Sequence, residues 1–275
     1  MTLLLQISDP HFGTERPLVV DALVRLVHEQ APNLVVLSGD ITQRARRRQF
    51  HAARVFMDRL GVTATLVIPG NHDIPLFDLA TRLLNPYANH SRAFGADLEP
   101  MFESDQLLVI TVNTTRYYRH TDGEVSAEQI ERVARRLERA TGSQLRVVVT
   151  HQPVAVTRPQ DEINLLHGGD RAVRSWALAG VDLILGGHIH LPFILPLHER
   201  FADLPRKVWA VQAGTAVSRR IRHEAGNSIN LIRYDGQQSN RRDAVVERWD
   251  YLDSQKCFRP VDIKELHCEA TSDVV

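Results

Sequence analysis

Six short apolar runs, none longer than eight residues, constrain this chain more than any other feature of its sequence. They are LLLQIS (3–8), LVVLSG (34–39), ATLVIPG (64–70), LLVITVN (107–113), LRVVVTH (145–151) and VDLILGGH (181–188). Their length and content are those of buried strands. Helical patterns separate the first three, PLVVDALVRLVHEQ at 17–30 and ARRRQFHAARVFMDRL at 45–60. Strand alternating with helix predicts βαβ units and a parallel sheet with both faces covered. A third helix is predicted at 126–141, with Ser126 as N-cap, Gln129 completing a capping box and Gly142 ending the segment. After Lys207 the runs KVWAVQAG, NSINLIRYD and VVERWDY lack intervening helices, and they predict successive antiparallel strands of a second sheet or an extended edge. No repeat and no Pro-rich or Gly/Ser-rich linker divides the 275 residues, so one large core is expected.

The carboxyl ends of these runs carry unusual chemistry. The first supplies Asp9 and His11, the second Asp40, and the third Asn71, His72 and Asp73; a later one supplies His151, and the last His188 and His190. Parallel strands in an α/β sheet aim their carboxyl ends at one edge, where ligands bind. Carboxylate, imidazole and amide oxygen form a mixed N/O set suited to Mn, Fe or Zn, and too large for one ion; two ions sharing a carboxylate would use it. The pairs Asp9-x-His11 and His188-x-His190 would put both side chains on one face of a regular strand. Glycines 39, 70, 186 and 187 allow tight turns and close approach. Each piece alone reads as an ordinary turn. Five pieces in order, each closing an apolar run, read as one site.

That ordered pattern, D-x-H, GD, GNHD, H and GHIH, resembles the calcineurin-like metallophosphoesterase superfamily over about residues 3–213. The resemblance implies an α/β fold, a four-layer α/β/β/α sandwich of two mixed β-sheets flanked by helices, with a domain over 1–252 and a C-terminal tail over 253–275. It implies two divalent metal ions (Mn, Fe or Zn). Asp9, His11 and His190 would hold one, Asn71, His151 and His188 the other, and Asp40 would bridge them. His72 would act as general acid or transition-state stabiliser, with Asp73 either orienting it or capping the following turn. The implied reaction is phosphodiester hydrolysis by attack of metal-bound hydroxide, with no phosphoenzyme. Compact length, GNHD and the early ISDPHFG are most similar to bacterial class III cyclic-nucleotide phosphodiesterases, which points to 3′,5′-cyclic nucleotides. Two alternatives stay open. One is a pyrophosphatase acting on nucleotide-linked lipid A precursors of the UDP-diacylglucosamine type, for which IPLFDLATRLLNPYANHSRAF could supply an apolar lid. The other is a non-catalytic scaffold with the same fold.

Lys plus Arg equals Asp plus Glu at 33 each, so net charge draws the chain to neither nucleic acid nor an anionic membrane. A small-molecule phosphoester is the expected partner, a homodimer is admitted, and nucleic acid is disfavoured. The start MTLLLQISDP lacks signal-peptide features and no run reaches membrane-span length, so a cytoplasmic protein is expected. Cys257 and Cys268 read as unpaired thiols rather than a disulfide framework. The run RARRRQ (44–49) reads as the solvated face of a helix in preference to a phosphate-binding patch. The segment 152–170 could fold over the metals, where His167 would be an ordinary loop residue or a substrate contact.

Overall fold

The computed structural model of the chain describes residues 1–236 and 241–269. Strand β1 (Thr2–Ile7), helix α1 (Pro17–Gln30), β2 (Leu34–Ser38), α2 (Arg47–Leu60) and β3 (Thr65–Ile68) follow one another as the apolar runs predict. Two short helices, α3 (Leu79–Leu84) and α4 (Ala88–Phe94), lead to β4 (Met101–Glu103) and β5 (Leu107–Thr111). Next come α5 (Ala127–Leu137), β6 (Leu145–Val149), α6 (Gly169–Leu178) and β7 (Leu183–Gly186). The chain continues through β8 (Phe193–Pro196), α7 (Leu197–Arg200) and β9 (Trp209–Gln212) to β10 (Ser228–Tyr234), β11 (Arg241–Leu252) and β12 (Cys257–Glu269). The capping box that starts α5 is formed as the sequence predicts: Ser126 Oγ accepts from Gln129 N at 3.2 Å, and Gln129 Oε1 accepts from Ser126 N at 3.0 Å.

Two mixed sheets of six strands result, ordered β12-β11-β10-β1-β2-β3 and β4-β5-β6-β7-β9-β8. Alternation along the strands sorts their apolar side chains into layers. Leu3, Leu5 and Ile7 of β1, with Val35 and Leu37 of β2, pack under α1 and α2, whereas Leu4, Leu34 and Val36 face the other sheet. On the second sheet Val148 joins the α5 and α6 core, whereas Val147 and Val149 meet the first sheet. The architecture is therefore helices, sheet, sheet, helices. At the carboxyl ends of β1, β2, β6 and β7 the layer between the sheets turns polar. Gln6 Nε2 donates across it to Gly186 O at 2.9 Å, and His151 Nδ1 lies 2.9 Å from Ser38 O.

The run KVWAVQAG departs from expectation. It forms β9, parallel to β7 and antiparallel to β8, within the second sheet, whereas β10, β11 and β12 extend the first. Ala210 packs with the helices and Val211 between the sheets, so β9 is covered on both faces and its sequence cannot reveal its partners. Within 253–275, Cys257–Glu269 is strand β12, which lays Leu266 and Cys268 into the inter-sheet core; residues 270–275 lie outside the described residues. Cys257 and Cys268 are both free thiols near opposite ends of that strand. No helix among the described residues is long and apolar enough to cross a membrane.

Candidate metal centre

Past the ends of β1, β2 and β7 the backbone enters left-handed conformations. Asp9 (φ 50°), His11 (43°), Asp40 (44°), His188 (71°) and His190 (55°) are five of the eight non-glycine residues with positive φ among those described. Side-chain-bearing residues adopt this region at a cost of about 1–3 kcal/mol each, and such strain persists where the surroundings impose it. Here they do. Asp9 N donates to Gly39 O at 3.2 Å and His11 N to Asp40 O at 3.0 Å, so the β1–β2 pairing continues between the two loops. The D-x-H and H-x-H pairs thus converge by left-handed turns beyond the strands, which corrects the expectation that strand alternation aligns them. Gly39 (φ +93°) has no room for a side chain: a Cβ there would lie 2.3 Å from His151 Nδ1.

All seven sequence-derived ligand candidates meet at this edge. One potential ligand atom from each of Asp9, His11, Asp40 and His190 lies within 4.8 Å of the others, and the same holds for Asp40, His151 and His188. Asp40 belongs to both groups: its Oδ2 is 3.6 Å from His11 Nε2 and its Oδ1 is 3.3 Å from His151 Nε2. Asn71 Oδ1 is 3.3 Å from His151 Nε2. His72 sits at the rim, 23% exposed, with Nε2 4.0 Å from Asp40 Oδ2.

Outer hydrogen bonds orient the rings. The Nδ1 atoms of His151, His190 and His72 face the carbonyls of Ser38 (2.9 Å), Arg220 (2.6 Å) and Gln43 (3.0 Å). A carbonyl only accepts, so each Nδ1 donates, and in the neutral ring Nε2 turns a lone pair toward the cluster. His188 is reversed. Its Nε2 lies 3.3 Å from Asn164 Oδ1, leaving a buried Nδ1 without a hydrogen-bond partner. His11 presents Nε2 at 3.0 Å from His190 Nε2. Ring nitrogens buried face to face beside two carboxylates, with Nδ1 of both His11 and His188 unpartnered, fit two divalent cations.

Electrostatics divide the ligand candidates into two sets. Burial would raise the Asp9 carboxyl, but the His190 imidazole beside it and then His151 outweigh burial and leave it at about 2. Burial likewise opposes ionisation of Asp40, and His151 and His72 overcome it, holding it well below the usual carboxylate range. Burial and the neighbouring His151 charge push His188 down to about 4, and burial takes His11 to about 3. His151 moves up to about 9, because the Asp40 charge outweighs its burial. Two carboxylates are thus kept ionised and His11 and His188 neutral, the ligand forms a metal needs, whereas the Asp9 charge outweighs burial to raise His190 as Asp40 raises His151, and these two rings would give up a proton to a bound cation.

Asp73 makes a different contribution from the orienting role considered for it. Its Oδ2 accepts from Ile41 N and Gly70 N at 2.9 Å each, and its Oδ1 accepts from Thr42 N and Thr42 Oγ1 at 2.8 Å each. It clamps the backbone after Asp40 to the turn before Asn71, while Gln43 O orients His72. Burial and the Asp40 charge push the Asp73 carboxyl up to about 7, against the pull of those four donors. His167 lies half-exposed, 3.7 Å from Asp122, outside both groups. Three residues at the site carry no sequence motif: Gln43, Asn164 and Arg220. The Arg220 carbonyl holds His190, and its guanidinium reaches back to His72 Nε2 (3.2 Å) and Gln43 Oε1 (3.1 Å). Asn164 comes from the 3₁₀ turn Pro159–Asn164, inside the segment expected to fold toward the metals.

A four-layer sandwich with a buried Asp/His cluster at the carboxyl edge defines a metal-dependent phosphoesterase architecture. The chain belongs to the calcineurin-like phosphoesterase family, whose model matches residues 2–192. A probable cyclic nucleotide phosphodiesterase of Synechococcus sp. is 26% identical over 167 residues, 60% of this chain and 61% of that protein, so the match spans under two thirds of the relative. Among solved structures, a dimetal phosphatase from Danio rerio superposes with a TM-score of 0.63 at 13% identity, covering 98% of this chain and 99% of that one. Purple acid phosphatase PPD1 from yellow lupin gives 0.71 at 10% identity, covering 96% of this chain and 53% of that one. At these identities the likeness is one of fold.

Proposed function

We propose that this chain is a dinuclear metal-dependent phosphodiesterase, with 3′,5′-cyclic nucleotides as the leading substrates. The observation that carries the reading is Asp40, whose two carboxylate oxygens face the two ligand groups separately, Oδ2 toward His11 and Oδ1 toward His151. Asp9, His11 and His190 would hold one ion, and Asn71, His151 and His188 the other, with Asp40 between them. Two divalent ions, Mn, Fe or Zn by the donor set, supply a lowered pKa for bound water and charge to hold the phosphate oxygens.

The chain's own groups do the rest. In hydrolysis the water oxygen bonds to phosphorus, the P–O bond to the leaving alcohol breaks, and the leaving oxygen takes a proton. His72 is the donor in its protonated form: Nδ1 is fixed by Gln43 O, and Nε2, which accepts from Arg220 in the neutral ring, carries the proton that passes to the leaving oxygen. The Arg220 guanidinium, exposed and beside His72, binds phosphate oxygens as charge develops on them. The similarity to the Synechococcus protein supports the cyclic-nucleotide reading. A second reading, pyrophosphate hydrolysis on a lipid-linked nucleotide, draws support from Phe77, Leu79, Leu83 and Leu84, which are 82%, 65%, 64% and 86% exposed on and just before α3, the helix whose Arg82 lines the cavity beside His72. A cytoplasmic location and a homodimer belong to the same proposal.

The deciding experiment is hydrolysis of bis(p-nitrophenyl) phosphate and 3′,5′-cyclic AMP by metal-stripped protein reconstituted with Mn²⁺, beside His72→Ala. Metal-dependent turnover of both, lost in the variant, is expected. Two bound metals per chain with neither substrate cleaved would overturn the diesterase reading and favour the pyrophosphate one, whereas failure to bind metal would favour a non-catalytic scaffold.

A further inference from the structure

The run RARRRQ does not form one solvated helix face. Helix α2 begins at Arg47, and Arg44 and Arg46 lie in the loop before it, on the path of the chain leaving Asp40. A cavity of about 100 Å³ is lined by Asn71 and His72 together with Arg44, Arg82 and His120. Arg44 and Leu76 also line a neighbouring, larger cavity of about 550 Å³, whose walls include Arg46, Arg47 and Phe77. Two adjacent cavities with arginines in their walls therefore form a positively charged groove between His72, on the proposed leaving-group side, and the start of α2. Because the whole chain carries equal numbers of acidic and basic residues, this is a local excess of positive charge.

Little within the protein neutralises that charge. Among the described residues Arg44, Arg46 and Arg47 make no ion pair. Arg82 donates only to carbonyls, those of Pro75 (3.2 Å) and Arg119 (2.6 Å). Asp78 is the carboxylate in the groove wall, and its oxygens are engaged by Thr81 N at 3.0 Å and Thr81 Oγ1 at 2.6 Å, capping α3. The Arg44 guanidinium lies over one face of the Phe77 ring at 5.7 Å, and the ring is 82% exposed. Unpaired guanidinium groups beside an exposed aromatic face are the elements that hold a phosphate and stack a base.

We propose that this groove binds a second phosphate carried by the leaving nucleotide, so that a linear dinucleotide with a terminal 5′-phosphate is cleaved in preference to the same dinucleotide without it. The inference rests on the phosphodiesterase reading for the chemical step. The attacking water oxygen bonds to the internal phosphorus, the P–O3′ bond breaks, and the leaving O3′ takes the proton. Two 5′-nucleotides result. Arg44 and Arg47 engage the terminal phosphate, and Phe77 stacks the leaving base.

The test compares pApA with ApA, which differ only in the terminal phosphate. In the Mn²⁺-loaded protein pApA is expected to have a kcat/KM at least tenfold higher. The double substitution Arg44→Ala/Arg47→Ala is expected to bring that ratio to within about twofold of one, whereas Arg48→Ala, on the same helix but outside the groove, keeps it. A ratio near one in the unaltered protein, or equal loss in Arg48→Ala, would overturn the proposal. If bis(p-nitrophenyl) phosphate is not cleaved, the hydrolytic reading has failed. The groove is then judged by the same ratio taken from dissociation constants in calorimetric titration.

Discussion

Asn164 and Arg220 show how much of the site works through groups that no motif marks. Asn164 Oδ1 accepts from His188 Nε2, which leaves Nδ1 as the atom that ring would offer a metal under the proposed function. Loss of such an outer partner costs about 10–100-fold in metal affinity or activity. Asn164→Ala is therefore expected to lower the affinity of the ion proposed for Asn71, His151 and His188 by that factor in chelator competition, with an unchanged circular dichroism spectrum; equal affinity would dismiss the assigned ligand atom. Arg220 separates into two parts. Its carbonyl holds His190, and its guanidinium reaches His72, so Arg220→Ala keeps the first and removes the second. Removal of one preorganised donor costs about 10²–10³ in kcat. That drop in bis(p-nitrophenyl) phosphate turnover, with metal content intact by elemental analysis, is expected, and full activity would place Arg220 outside the chemistry. Asp9, His11, Asp40, Asn71, His151, His188 and His190 were legible because each closes an apolar run. Asn164 and Arg220 were not, since they approach from irregular segments and act through one side-chain oxygen or one guanidinium.

At the scale of elements, the strands that build the site were readable because they are covered on both faces and so appear as unbroken apolar runs. The same burial hid how they are partitioned. β9 looks like β10 in sequence, yet one joins the second sheet and the other the first. Edge elements escaped for the opposite reason: β4 and α3 contain no fully buried residue and leave no periodic trace. Nor could strand periodicity predict the turns beyond β1 and β7, where backbone conformation places the ligands. Gly39 tests this dependence. Alanine at φ +93° is strained, and its Cβ would fall 2.3 Å from His151 Nδ1, pushing the ring off Ser38 O. Gly39→Ala is expected to lower stability by about 2 kcal/mol or more in urea unfolding. It should also weaken metal binding, because the displaced ring serves the cluster. Wild-type stability with wild-type metal affinity would show that the loop after β2 relaxes without the ligands noticing.

For the molecule as a whole, packing and charge are coupled away from the site as well. His90 of α4 is fully buried, edge-on to Phe50 of α2 at 6.1 Å between ring centroids, and both its ring nitrogens lack partners. Burial pushes its pKa from 6.5 down to about 4. Between those values the unfolded chain binds a proton that the folded one refuses, so stability is full above about pH 6.5 and falls as pH drops toward 4. With those two values the loss by pH 5 is about 2 kcal/mol, a large part of the stability of an ordinary domain. His11 and His188 titrate in the same direction when metal is absent, so the bare pH profile does not isolate His90. The difference between the unaltered chain and His90→Leu does. Urea midpoints at pH 7.5 and pH 5, both measured with metal removed, are expected to show a larger acid-induced drop in the unaltered chain by about that 2 kcal/mol. Parallel drops in the two proteins would mean that His90 accepts its proton in the folded state, and that the packing of α4 on α2 tolerates a charge.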